Sequence, residues 1–226
     1  MKYQCDIPGF EECWFELSEC WTRGEVKQYF LGNNDKALIA AIAPKILAIR
    51  LGTDIVDAAT LTVERLDALD YRLGLWFGEA ITKELERIHA EAQQAATDWR
   101  TRIEKQPAPV DRKYICDIPG YADCFVQISD NWTRGDMKRF SVTWGADFLE
   151  LVRPKLVSIS LFGGIDTPAA LTTENTDALP YTLWRWLATA LQKGKDDLHS
   201  MGEATARRSL DGSGKPASAQ GNQTQK

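Results

Sequence analysis

Histidine is nearly missing from this sequence, with only His89 and His199 among 226 residues. A triad that needs one imidazole per repeat would hang on a single helical side chain, so His-dependent hydrolysis is not expected. Long apolar runs are missing too: no stretch approaches the roughly 20 residues of a membrane-spanning helix. The opening Met1-Lys2-Tyr3-Gln4-Cys5-Asp6 lacks the apolar core of a signal peptide. Positive charge is in deficit, with 27 Lys and Arg against 32 Asp and Glu and a net charge of -5. A protein that works by neutralising nucleic-acid phosphates needs the opposite balance. Five cysteines are an odd number, and nothing else suggests export, so no disulfide framework is expected. These absences predict a soluble, cytosolic protein with neither nucleic acid nor membrane as a partner.

What the chain does have is a repeat. Residues 2–30 align without a gap to residues 113–141, with 14 of 29 positions identical; unrelated sequences would share about two. Lys-Tyr-x-Cys-Asp-Ile-Pro-Gly recurs at Lys2–Gly9 and Lys113–Gly120, and Trp-Thr-Arg-Gly at Trp21–Gly24 and Trp132–Gly135. After one deletion in the second copy the match resumes: Pro44-Lys45 with Pro154-Lys155, Leu61-Thr62-x-Glu64 with Leu171-Thr172-x-Glu174, Asp67-Ala68-Leu69 with Asp177-Ala178-Leu179. Tyr71, Leu73 and Trp76 then meet Tyr181, Leu183 and Trp186. A period of about 110 residues exceeds that of solenoids, so each unit is read as a domain. The division is a first repeat at 1–105, a proline-containing linker at 106–111, a second repeat at 112–203 and a disordered tail at 204–226, where large apolar residues run out.

Within a unit the pattern predicts an α+β fold: an N-terminal β-hairpin and a third short strand packed with two to three helices. Tyr3-Gln4-Cys5 and Cys13–Leu17 flank a Pro-Gly turn, as do Tyr114–Cys116 and Cys124–Ile128. Thr22-Arg23-Gly24-Glu25 and Thr133-Arg134-Gly135-Asp136 have capping-box spacing. Ala37–Ala43 reads as a helix stopped by Pro44, and Ile46–Ile49 with Leu156–Ile159 as the third strands. Leu73, Trp76, Phe77, Ala80, Ile81, Leu85 and Ile88 form the stripe of a long closing helix. Its counterpart runs from Leu183 after Pro180. The polar, Ala-rich continuation from Glu91 to Ile103 is expected to be a solvent-exposed spacer.

Candidates for chemistry are few. Cys5, Cys13, Cys116 and Cys124 would offer four thiolates to zinc if the repeats faced each other, but the spacing is not that of a zinc knuckle and packing is the expected role. A cysteine enzyme would need one thiol with a strongly depressed pKa. His89 and His199 are expected on solvated helix faces. Gly212-Ser213-Gly214-Lys215 lacks the earlier glycine and following hydroxyl of a phosphate loop. Asp6 and Asp117 read as turn residues, and Asp67 and Asp177 as part of a short helical turn. The best candidate is Trp-Thr-Arg-Gly, in which Trp21, Arg23, Trp132 and Arg134 would bind a partner, Trp and Arg being enriched at binding hot spots. As structure, the same segment staples hairpin to helix.

The unit resembles bacteriophage tail-assembly chaperones. Their sequences often carry a phrase like Leu-Thr-x-Glu-Asn-x-Asp-x-Leu-Pro before a final helix, here Leu171-Thr172-Thr173-Glu174-Asn175-Thr176-Asp177-Ala178-Leu179-Pro180. The loop before it, Gly163-Gly164-Ile165-Asp166-Thr167-Pro168, fits the same pattern. The first copy departs from it, with Asp70 for the proline and a weaker Gly52-Thr53-Asp54 loop, and duplication is not typical of the family. The resemblance implies no catalysis and no cofactor. It implies a protein partner in the host cytoplasm, the tail tape-measure or tail-tube protein. The alternative is a phage or prophage structural or host-interaction protein, for example an inhibitor of a host defence protein, using the same duplicated binding domain.

Overall fold

A computed structural model describes residues 1–32, 35–143 and 145–212. The architecture is α+β. The first repeat runs β1 (Lys2–Gln4), β2 (Trp14–Leu17), α1 (Arg23–Leu31), α2 (Asp35–Ile42), β3 (Ile46–Arg50), α3 (Val63–Asp67) and α4 (Tyr71–Glu104). The second runs β4 (Lys113–Ile115), β5 (Phe125–Ile128), α5 (Arg134–Phe140), α6 (Ala146–Val152), β6 (Leu156–Ser160), α7 (Thr173–Asp177) and α8 (Tyr181–Gly212).

Each repeat has an antiparallel three-stranded sheet with the hairpin's second strand in the middle. The registers correspond: Tyr3 faces Phe15 and Phe15 faces Ile49, as Tyr114 faces Val126 and Val126 faces Ile159. Alternation puts Phe15 and Leu17 inward from β2, and Val126 and Ile128 from β5. Pro44 and Pro154 lie in single 3-10 turns that end the preceding helix and hand the chain to the third strand. The long helix then covers the sheet: Leu73, Phe77, Ile81 and Leu85 in one core, Leu183, Trp186, Leu187 and Leu191 in the other.

In both repeats a tyrosine on the first strand is tied to an acid on the long helix, but not at equivalent positions. Tyr3 donates to Glu84, a buried carboxylate that also accepts from Arg87 at 2.6 and 2.8 Å. Burial pushes Glu84 up, but the hydrogen bonds from Arg87 and Tyr3 outweigh it and hold it below the usual carboxylate range. In the second repeat Tyr114 donates to Asp197 at 2.7 Å, and Asp197 also pairs with Lys193. Glu84 corresponds to Gly194, where a Cβ would lie 2.1 Å from Ile128 Cδ1. The acid has therefore moved about one helical turn along.

Two expectations are corrected here. The continuation of α4 is no exposed spacer: Ala92, Ala96 and Trp99 are buried, and Trp99 belongs to the core of the second repeat. Its indole N–H donates to Ile115 O at 3.1 Å and its ring meets Trp186 edge-on at 5.7 Å. The boundary at residue 105 thus cuts the chain after a helix that already serves both cores. Nor does order end at 203, since α8 continues to Gly212; the remaining 213–226, with most of the Gly-Ser-Gly-Lys segment, lie outside the described residues.

Because Trp99 fills a site in the second core, Trp99→Ala is expected to lower stability by about 3–5 kcal/mol. Urea unfolding followed by a probe in the second repeat measures it. A change below about 1 kcal/mol would show that the α4 extension does not support that core.

Candidate functional site

The site is built on the capped start of the first helix in each repeat. Thr22 accepts from Glu25 N and Glu25 reaches back to Thr22 N, and Thr133 with Asp136 does the same. The lysine of each Pro-Lys pair locks this start to the third strand. Lys45 pairs with Glu25 at 2.8 Å and donates to Cys20 O at 2.9 Å. Lys155 pairs with Asp136 at 2.7 Å and donates to Asn131 O at 2.9 Å. The Lys155 hydrogen bond first, and those from Thr133 second, lower Asp136 to about 2.

From this shared frame the two Trp-Thr-Arg-Gly segments meet different surroundings. Trp21 and Arg23 are 3% and 8% exposed, closed against the second repeat. The Arg23 backbone donates to Leu179 O at 2.8 Å, and Tyr181 N donates to Trp21 O at 2.9 Å. The Arg23 guanidinium donates to Thr176 Oγ1 at 2.8 Å and to Asp177 Oδ1 at 2.6 Å, and lies 3.9 Å from the centroid of the Trp184 ring. This is a charge-assisted, stacked geometry for which lysine is no substitute. Burial lowers the Arg23 pKa, while Asp177 opposes that shift. Gly24 is required by the approach: a Cβ there would stand 3.0 Å from Asp177 Cβ and 3.0 Å from Asp177 O.

Trp132 is half-buried and Arg134 exposed. A Cβ on Gly135 would meet only Thr133 Oγ1, at 3.5 Å. The four sequence candidates therefore do not form one surface. Trp21 and Arg23 already grip a protein surface, that of the other repeat, whereas Arg134 stands at the edge of an open groove between α5 and α8. That groove holds about 1230 Å³ and is lined by Met137, Val142, Leu198 and His199 among others. Its counterpart between α1 and α4 holds about 540 Å³ and has Tyr181 and Trp184 in its wall.

Sequence reasoning missed Asp177, Thr176 and Trp184 as the receiving side, since nothing in their spacing says which repeat contacts which. It also placed His89 in solvent, whereas His89 is half-buried and its Nδ1 lies 2.6 Å from Tyr181 Oη. His199 does remain exposed, 3.4 Å from Glu203.

The four repeated cysteines sit as neighbours on the two hairpins, Cys5 N donating to Cys13 O at 2.9 Å and Cys116 N to Cys124 O at 2.8 Å. They fall in separate cores, so the structure does not gather them into one four-thiolate site. Among the described residues no group of three or more His, Cys, Asp or Glu is placed to hold a metal ion. Burial pushes Cys5 and Cys124 up and Cys116 up to about 11, the reverse of an activated thiol. No helix among the described residues is long and apolar enough to cross a membrane.

Arg23→Ala is expected to cost about 1–3 kcal/mol by leaving Asp177 and Thr176 without their donor, and Arg134→Ala less than about 0.5 kcal/mol. Chemical denaturation of both variants checks the asymmetry. A second expectation concerns acid. Asp136 is depressed in the folded chain, so its contribution is fully present above about pH 4, the ordinary carboxylate value, and is lost as pH falls through about 2. Lys155→Met should flatten that part of the stability-versus-pH curve, and an unchanged slope would assign the acid sensitivity elsewhere.

Compared with protein-family models, curated proteins and solved structures, the chain gives no match.

Proposed function

We propose that the protein is a non-enzymatic, phage-encoded chaperone of tail assembly that binds a long helical tape-measure protein, or tail-tube subunits, in the host cytoplasm. The observation that carries this reading is the doubling of one exposed sheet face. In the first repeat Lys2 Nζ lies 4.3 Å from the Trp14 ring centroid, and in the second Lys113 Nζ lies 3.8 Å from that of Phe125. Leu47 and Val157, at equivalent places in the third strands, are exposed in both, and Ile115 adds to the second. Trp14 and Leu47 share a shallow depression with Arg50 and Val56. An aromatic ring held under a lysine beside exposed aliphatic side chains has the composition of a protein contact surface.

Two such faces on one chain suit a partner whose binding segments recur along its length, because the second contact forms at raised effective concentration. The sequence resemblance to tail chaperones supplies the kind of partner. The test is to sequence the genes that flank this one and co-express the protein with them, above all with a very long, largely helical reading frame if one is present. The complex should survive Leu47→Asp or Val157→Asp singly with weakened affinity and be lost, by on the order of 10²-fold or more, when both are changed. Flanking genes without tail character, or a double variant that binds as well as wild type, would remove this reading.

A further inference from the structure

The joint between the repeats is heterologous. The first repeat contributes the Trp-Thr-Arg-Gly start of α1, and the second contributes the corner where α7 meets α8. Since each repeat carries both features, one of each is left over: the start of α5 with its groove, and the corner Asp67–Tyr71 where α3 meets α4. We propose that the Asp67–Tyr71 corner of one copy docks into the α5–α8 groove of a second copy, in the manner of the internal joint, so that the chain associates with itself head to tail.

The internal joint shows what covers such a groove. Position by position, the walls Arg23, Val26, Lys27, Glu86 and His89 correspond to Arg134, Met137, Lys138, Asp196 and His199. In the first repeat Tyr181 closes this groove against His89 and is 9% exposed; Tyr71, its counterpart, is 77% exposed. The corner has the same backbone form in both repeats. Ala68 N donates to Glu64 O and Leu69 N to Leu66 O, as Ala178 N donates to Glu174 O and Leu179 N to Thr176 O. Leu69 O and Tyr71 N therefore stand ready for the two main-chain bonds that Leu179 O and Tyr181 N make to Arg23 and Trp21. Exposed Asp67 occupies the place of Asp177, the acceptor for the arginine.

Gly135 is the second, independent sign. Gly24 lacks a side chain because the Asp177 backbone sits against it, whereas Gly135 has open space and sits near the start of a helix, where glycine has no conformational advantage. An incoming Asp67 backbone gives it the same reason. The match is incomplete in one respect that sets the strength: Gly74 replaces Trp184 and Leu66 replaces Thr176, so the arginine loses its stack and one acceptor. Contact between copies is accordingly weaker than the internal joint and depends on concentration.

The test is sedimentation velocity on the full chain from about 1 μM to about 1 mM, the range of weak association. Wild type should grow in mass with concentration. Gly135→Leu blocks the groove and Asp67→Arg blocks the corner, both at exposed positions, and each variant alone should stay monomeric. Mixed in equal amounts they should form a one-to-one dimer that grows no further, because each keeps the face the other lacks. Arg134→Asp replaces the groove variant if leucine disturbs α5, as read by circular dichroism. A wild type that is monomeric throughout, variants that associate like wild type, or a mixture that stays monomeric would each overturn the proposal.

Discussion

A 34-residue helix has to bury an apolar face along its whole length or fray, and α4 does so against two different cores. Its first half closes the sheet of the first repeat through Leu73, Phe77, Ile81 and Leu85. Further along it buries Ala92, Ala96 and Trp99: Ala92 belongs to the first core together with Tyr181 from the start of α8, and Trp99 belongs to the core of the second repeat. Contacts along the pair run in the same sense, from His89 with Tyr181 to Arg100 with Asp196 at 3.0 Å, so α4 and α8 lie side by side in parallel. They are staggered by about four to five turns. With that rod in place the α7–α8 corner falls against the start of α1, and the Arg23 contacts follow. The joint is a consequence of the shared helix, and the stacked guanidinium and its two hydrogen bonds fix the register.

Much of one repeat was legible in the sequence, because its signals are local. Pro-Gly turns between short aromatic-rich runs mark the hairpins, Thr-x-x-Glu and Thr-x-x-Asp mark the helix starts, and a proline separates α2 from β3. The continuation of α4 was misread for a physical reason. Ala92, Ala96 and Trp99 do follow i, i+4 and i+7 spacing, but alanine buries little area and the polar residues between them dominate a hydropathy reading. Arg23 stood out as a binding residue, but that it binds the other repeat, and the roles of Asp177 and His89, were not legible. They depend on which surface of one repeat meets which of the other, and the two copies of the motif have the same letters. Differences such as Gly74 against Trp184, Leu66 against Thr176, Asp70 against Pro180 and Glu84 against Gly194 hint that the copies face different surroundings.

Duplication has let the copies diverge where their surroundings differ and held them where geometry is shared. The Lys45–Glu25 and Lys155–Asp136 locks survive in both, since every repeat must fix its helix start to its third strand. The tyrosine-to-acid tie also survives, but its acid has moved from Glu84 to Asp197, and glycine fills the vacated place because Ile128 now presses against it. What is conserved between the copies is the tether itself and not the residue that makes it. The cysteines show the opposite behaviour, keeping type and position while serving as small apolar side chains within each hairpin.

Arg23 and Thr176 stand 153 residues apart in the chain. A ribosome releases the first hairpin and α1 long before it makes the corner that receives them. At about 5–20 residues per second, the start of α1 waits on the order of ten seconds with a face meant for burial still wet. The first repeat therefore emerges before the second yet is not closed until the corner of the second has been made, and its closing step coincides with the start of α8 leaving the exit tunnel. Synthesis itself thus sets the order of assembly, and a chain cut short before Thr176 carries an unclosed first repeat.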